Sequence, residues 1–155
     1  MDINDYLIDH QHYDWTSLLS DWQLILPYDF RVWWMNKFGD LFLMFEDGTI
    51  HFFDVPCGTI EKIADSVDEF YELVNERANA NYWLLTPLVD KLMEAGVTLT
   101  EGRCYCFKFS PVLGGEYSLE NSATLSVDEH FRVHAYIYEQ IKDLPNGAKV
   151  RLKVT

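Results

Sequence analysis

Carboxylates crowd one stretch of this chain at spacings that chemistry could use. Asp65, Asp68, Glu69, Glu72 and Glu76 recur between apolar positions Val67, Phe70, Tyr71 and Val74. If the stretch is helical, the acids lie largely opposite an apolar stripe. Pairs such as Asp68/Glu72 and Glu72/Glu76 then set like charges one turn apart, at a cost of a few tenths of a kcal/mol each. The helix dipole compensates the acids of the first turn but not Glu72 or Glu76. A helix that tolerates this crowding can present a negative field to a cationic partner; the alternative is a solvated face. Glu46 and Asp47 form a second acidic group at the tip of an expected hairpin.

Other residues of reactive type lack the company that catalysis or metal binding needs. His130 and His134 are four apart on an expected helix, a spacing at which two imidazoles can share a metal. The residues between them are Phe131, Arg132 and Val133, and no third ligand is apparent, so no metal is expected. His134 falls on a stripe with Val127, Phe131, Tyr138 and Ile141 and reads as a hydrogen-bonded core or boundary residue. The loop Leu113-Gly114-Gly115-Glu116-Tyr117 lacks a phosphate-binding pattern and carries a carboxylate that would repel an anion. No G-x-S-x-G occurs, and Cys57 has no basic neighbour in sequence. Cys57, Cys104 and Cys106 are odd in number and form no C-x-x-C, which points to reduced, packed thiols. No catalytic residue, metal or cofactor is expected.

The elements that must position these groups read as an α+β domain. Asp14 can cap a short helix in which Trp15, Leu18, Leu19 and Trp22 share a face. Residues 30–37, 41–45 and 49–55 read as three strands of an antiparallel meander, the last two joined at Asp47-Gly48. Ser66 and Glu69 make a capping box that opens a helix to about residue 79. Thr86-Pro87 opens another, with Leu88, Leu92 and Met93 inward and Gly96 ending it. Residues 103–109 and 117–125 are extended, Ser126 and Glu129 cap a helix to about residue 142, and residues 149–154 form a last strand. The expected architecture is thus an antiparallel sheet, a three-strand meander plus C-terminal strands, packed with three to four helices.

Composition bounds the function. Of the residues, 48% are apolar and 15% aromatic, enough for one globular core and unlike a disordered chain. The net charge is −13, and all of it arises in residues 1–76; residues 77–155 are electrically balanced. Such a field repels phosphate backbones and anionic membranes, and it draws in basic partners. Neither nucleic acid nor a membrane is an expected partner. With no cationic leader and no apolar run near 18 residues, a cytoplasmic protein is expected.

Several segments, taken in order, resemble a bacterial family. They are Asn36-Lys37-Phe38-Gly39-Asp40-Leu41-Phe42, Asp47-Gly48-Thr49-Ile50-His51, and Ala80-Asn81-Tyr82-Trp83-Leu84 running into Pro87-Leu88-Val89-Asp90. Gly102-Arg103-Cys104-Tyr105, Leu113-Gly114-Gly115-Glu116-Tyr117, Glu129-His130 and Gln140-Ile141-Lys142-Asp143-Leu144-Pro145 follow. The set resembles the C-terminal domain of type VI secretion immunity proteins that protect against DNase effectors. The resemblance covers residues from about 22 to the end, leaving 1–21 as a short helical extension of a single domain over 1–155. It implies an α+β protein that binds and blocks a cognate toxin without catalysis of its own.

Charge and resemblance together lead to an immunity or interaction protein whose acidic half engages a basic toxin, for which a DNase is the natural candidate. The expected contacts are Glu46, Asp47, Asp65, Asp68, Glu69, Glu72 and Glu76. The competing class is a small-ligand or regulatory domain with an aromatic pocket drawn from Trp33, Trp34, Trp83 and Tyr105.

Overall fold

The apolar runs of the first half become one antiparallel meander. In the computed structural model, which describes residues 2–152, five strands pair in sequence order: β1 (Leu7–Ile8), β2 (Phe30–Asn36), β3 (Leu41–Phe45), β4 (Ile50–Asp54) and β5 (Thr59–Ala64). The expected three strands are its centre. β1 is only two residues long, and edge strand β5 exposes Thr59, Glu61 and Lys62, so neither has the apolar pattern that marks a strand in sequence.

The sheet is buried on both faces, which explains why β3 reads Leu-Phe-Leu-Met-Phe rather than alternating. Phe42, Ile50 and Phe52 point to one side and pack with α2 (Val67–Val74), α3 (Arg77–Leu84) and α4 (Thr86–Glu94) through Phe70, Val74, Trp83, Leu84, Val89 and Leu92. Leu41, Leu43 and Phe53 point to the other side. There they meet α1 (Trp15–Leu18), the 3-10 turn Ser20–Trp22 and α5 (Val127–Ile141), through Leu19, Trp22, Phe131 and Ala135. Trp22 donates its Nε1–H to the Phe131 carbonyl at 3.0 Å, tying the N-terminal segment to α5.

The chain is therefore α+β, as expected, but the C-terminal strands do not join the large sheet. β6 (Arg103–Phe107) and β7 (Ser122–Ser126) pair only with each other. The Tyr105 N–H donates to the Lys37 carbonyl at 2.8 Å, and Phe38 packs against Tyr105 and Phe107, docking β6 on the β2–β3 turn.

Four local expectations are corrected. The helix from Ser66 stops at Val74, because Asn75 and Asn79 turn their amides onto the Tyr71 and Leu73 carbonyls and Glu76 takes an extended backbone. Met93 is exposed, and Val89 takes the inward place in α4. Regular pairing in the C-terminal hairpin spans 103–107 and 122–126 only, since Asn121 bonds both Phe109 backbone groups and the Glu116 carbonyl instead of extending a ladder. Residues 149–152 are irregular, not strand, and the remainder of that expected strand lies outside the described residues.

Candidate functional site

Asp65, Asp68 and Glu69 begin α2 as a working capping box. The Ser66 hydroxyl accepts the Glu69 N–H at 3.1 Å, and Glu69 Oε2 returns to accept the Asp65 N–H at 2.6 Å. Glu69 is thus half committed to the backbone, while Asp68 and Glu72 are exposed. Asp65 pairs with Lys62 on β5. That lysine is held above its ordinary pKa by Asp65 first, with Asp47 and Glu69 adding to the effect. The hairpin and the start of α2 therefore share one electrostatic neighbourhood around a single exposed cation.

Asp47 has a structural task as well. Its carboxylate accepts from the Thr49 N–H and hydroxyl at 3.1 and 2.6 Å, bonds that hold its pKa below the usual range. Glu46 beside it is exposed. Glu76 departs from the expected grouping: it is the N-cap residue of α3, not a neighbour one turn from Glu72 on the same helix. Two acids of the negative half stand apart from this group: Asp40 is buried and Asp54 is half-buried.

Two concavities flank these elements. A cleft of about 1500 Å³ runs between the N-terminal segment and β2, lined among others by Trp15, Tyr28, Trp33, Trp34 and Tyr71. Tyr71 belongs to α2, so the cleft adjoins the acidic helix. The second is a cavity of about 580 Å³ on the other side of the β2–β3 turn. Of the aromatics expected to form a pocket, Trp33 and Trp34 line the cleft; Trp83 and Tyr105 are core residues and line neither concavity.

The histidines of α5 are both buried. His130 Nε2 lies 2.9 Å from the Gly39 carbonyl and His134 Nδ1 lies 2.8 Å from the His130 carbonyl. Burial pushes the His130 pKa down to about 3 and lowers that of His134, so both rings are neutral near pH 7. Cys57 is pushed up to about 12 by burial and then by Asp54, and burial raises Cys104 and Cys106. None of these thiols is ionised at neutral pH, so none is an activated nucleophile.

Among the described residues, no three His, Cys, Asp or Glu groups are placed to hold a metal ion. No helix is long and apolar enough to cross a membrane. Sequence reasoning did not single out Asp40 or Asp54, because their hydrogen-bond partners lie in the local turns while their approach to His130 and His134 on α5 arises only in the fold. The paired histidines were the one local signal of the cavity.

Residues 64–137 match the family described as T6SS immunity protein Tdi1, C-terminal. The Tdi1 C-terminal match begins at the last residue of β5 and ends within α5, so it contains α2, α3, α4, β6 and β7. It includes Asp65, Asp68, Glu69, Glu72 and Glu76, and the quoted stretches from Ala80 to His130; Glu46, Asp47 and the β2–β3 turn lie outside it. The match supports a type VI secretion immunity protein. None of the curated proteins matches the chain significantly.

Proposed function

We propose that this protein is a non-enzymatic immunity protein that binds a type VI secretion toxin in the cytoplasm and holds it inactive through an acidic surface centred on α2. The reading is carried by the continuity of charge and aromatic surface. Acids from the β3–β4 hairpin, the end of β5 and α2 gather around Lys62. Tyr71 on the same helix leads into the tryptophan-lined cleft, where the Trp33 Nε1–H has no acceptor among the described residues.

A toxin that cuts DNA must hold a phosphate backbone in a basic cleft, and an acidic surface can occupy that cleft in its place. Charge would speed and orient the encounter, while Trp34 and Tyr71 would supply desolvated contact area once docked. Asp65, Asp68, Glu69 and Glu72 form the centre of this surface, with Glu46, Asp47 and Glu76 at its margins.

The test first asks whether an adjacent reading frame encodes a nuclease-like protein, whose absence would count against a DNase partner, and then uses that protein as the partner. Asp68→Lys combined with Glu72→Lys avoids the capping carboxylate of Glu69 and should leave folding intact. We expect the on-rate to fall by ~10-fold or more at ~20 mM salt and to differ far less at ~500 mM, with reduced protection of cells expressing the toxin. An on-rate unchanged at low salt would take α2 out of the interface.

A further inference from the structure

The 580 Å³ cavity is walled by the β2–β3 turn, the β4–β5 turn, α3, β6 and α5, and it has a polar floor and an aromatic mouth. Asp40, His130 and His134 are buried at its floor, whereas Tyr82 and Tyr117 are 63% and 57% exposed at its rim. Phe38, Phe52 and Phe107 supply flat apolar walls between them.

Hydrogen bonding settles what the floor offers. A carbonyl can only accept, so His130 Nε2 carries the proton it donates to Gly39, leaving Nδ1 as a bare acceptor. That Nδ1 is buried and has no partner among the described residues. By the same logic His134 donates from Nδ1 and keeps Nε2 as an acceptor. Asp54 accepts from the Cys57 N–H at 3.3 Å, and Asp40 accepts from the Val55 N–H and the Asn36 amide at 3.1 Å each. Asp40, Asp54, His130 and His134 thus line one cavity whose lining contains no lysine or arginine.

We infer that this cavity is a binding site for a free, metabolite-sized organic cation, an amine or amidine whose N–H groups meet the His130, His134, Asp40 and Asp54 acceptors while its flat apolar body lies between the aromatic walls. Three observations select that class. An orphaned buried acceptor requires a donor, since leaving it unpaired costs about 1–3 kcal/mol. The lining holds no cation to receive a phosphate or carboxylate, and an incoming positive charge stabilises the ionised form of the Asp40 and Asp54 carboxyls, which burial disfavours. The volume falls in the range of small-molecule sites, roughly 300–1,000 Å³, and exceeds what one inserted lysine or arginine side chain fills. Rim tyrosines suit a cation at the mouth as well, through their ring faces. The inference does not depend on toxin binding.

The experiment is calorimetric titration and thermal melting of the full chain with benzamidine and tyramine, against benzoate as the charge-reversed control. Both cations should bind with a Kd below ~1 mM and raise Tm, and benzoate should bind at least ~30-fold more weakly. Asp54→Asn should weaken benzamidine binding by ~10-fold or more. Tyr82→Ala, at an exposed position on the rim, should weaken it by ~3-fold, which keeps the test informative if the Asp54 variant does not fold. Bound benzamidine should also shift the His130 Nδ1 resonance. The proposal is overturned if neither cation binds by ~10 mM, if benzoate binds as tightly, or if binding occurs with His130 and Tyr82→Ala both indifferent to it.

Discussion

His130 connects the β2–β3 turn to α5, and the connection constrains both partners. Gly39 has φ +81°, and a Cβ built there would stand 2.4 Å from His130 Nε2, so only glycine admits both the turn and the ring. The same turn is closed by Asn36, whose Oδ1 accepts the Phe38 and Asp40 N–H groups and whose amide reaches Asp40 and the Trp83 carbonyl. Every polar group of that buried asparagine is engaged, which makes the turn a rigid seat for the imidazole. Because the folded pKa of His130 is about 3, below the ordinary 6.5, the folded protein resists taking a proton that the unfolded chain accepts readily. Its contribution to stability is present above pH 6.5 and is lost as pH falls toward 3. Each pH unit in that window costs about 1.4 kcal/mol at most. Asp40 and Asp54 act in the opposite sense, since their raised pKa values favour the folded state on acidification. His134 adds to the effect of His130, so a difference measurement is needed. Against His130→Gln, the stability advantage of the native protein in urea should shrink by about 1 kcal/mol per pH unit between pH 6.5 and 4.5. A gap that stays constant across that range would mean the ring is solvated and titrates normally.

At the scale of elements, α5 places the two histidines and so inherits its importance from its cap. The Ser126 hydroxyl accepts the Glu129 N–H at 3.1 Å, one turn before His130. Ser126→Ala should lower global stability by about 1 kcal/mol, read from the urea midpoint with an unchanged slope. A loss within ~0.3 kcal/mol would show that packing of Phe131 and Ala135 alone holds the helix. This cap was legible in sequence, as were the Ser66 cap, the Asp14 cap and strand β3, because each is written in residues that are neighbours in the chain. The break at Asn75–Glu76 was not legible: the acidic and apolar periodicities continue through it, and only the asparagine amides divert the backbone carbonyls. β1 and β5 were missed for the reason edge strands usually are, a pattern too short or too polar. For the proposed acidic surface, the capping box and the exposed positions of Asp68 and Glu72 were legible in sequence, but the proximity of the hairpin to α2 comes from β4–β5 pairing, in which His51 faces Lys62. The cavity was least legible of all, because its floor joins residues 40, 54 and 130, which only the fold brings together.

For the whole molecule, the question is why a net charge of −13 is kept. Asp40 is buried and Asp54 half-buried, and the surface acids outnumber the cations available to them. Among the described residues only three ion pairs form, all between side chains three or four positions apart, and only Lys62–Asp65 lies in the negative half. Local pairs of this exposed kind contribute at most about 1 kcal/mol each and do not neutralise the field. The folded state therefore carries self-repulsion that an electrically balanced surface would avoid, a cost consistent with a surface kept negative for a basic partner. Screening exposes that cost directly. Raising NaCl from ~20 to ~200 mM shortens the Debye length from about 20 Å to below 10 Å, so repulsion across α2 and the hairpin should weaken while packing stays the same. Stability should rise by about 1 kcal/mol, seen as a Tm increase of ~2–4 °C, and the Asp68→Lys/Glu72→Lys variant should gain less than half of that. If salt leaves Tm unchanged in the native protein, the carboxylates are spread widely enough to ignore one another, and a focused acidic docking surface is the wrong description. If the variant responds as fully as the native chain, the repulsion resides elsewhere, and α2 loses its claim to be where a basic partner is drawn in.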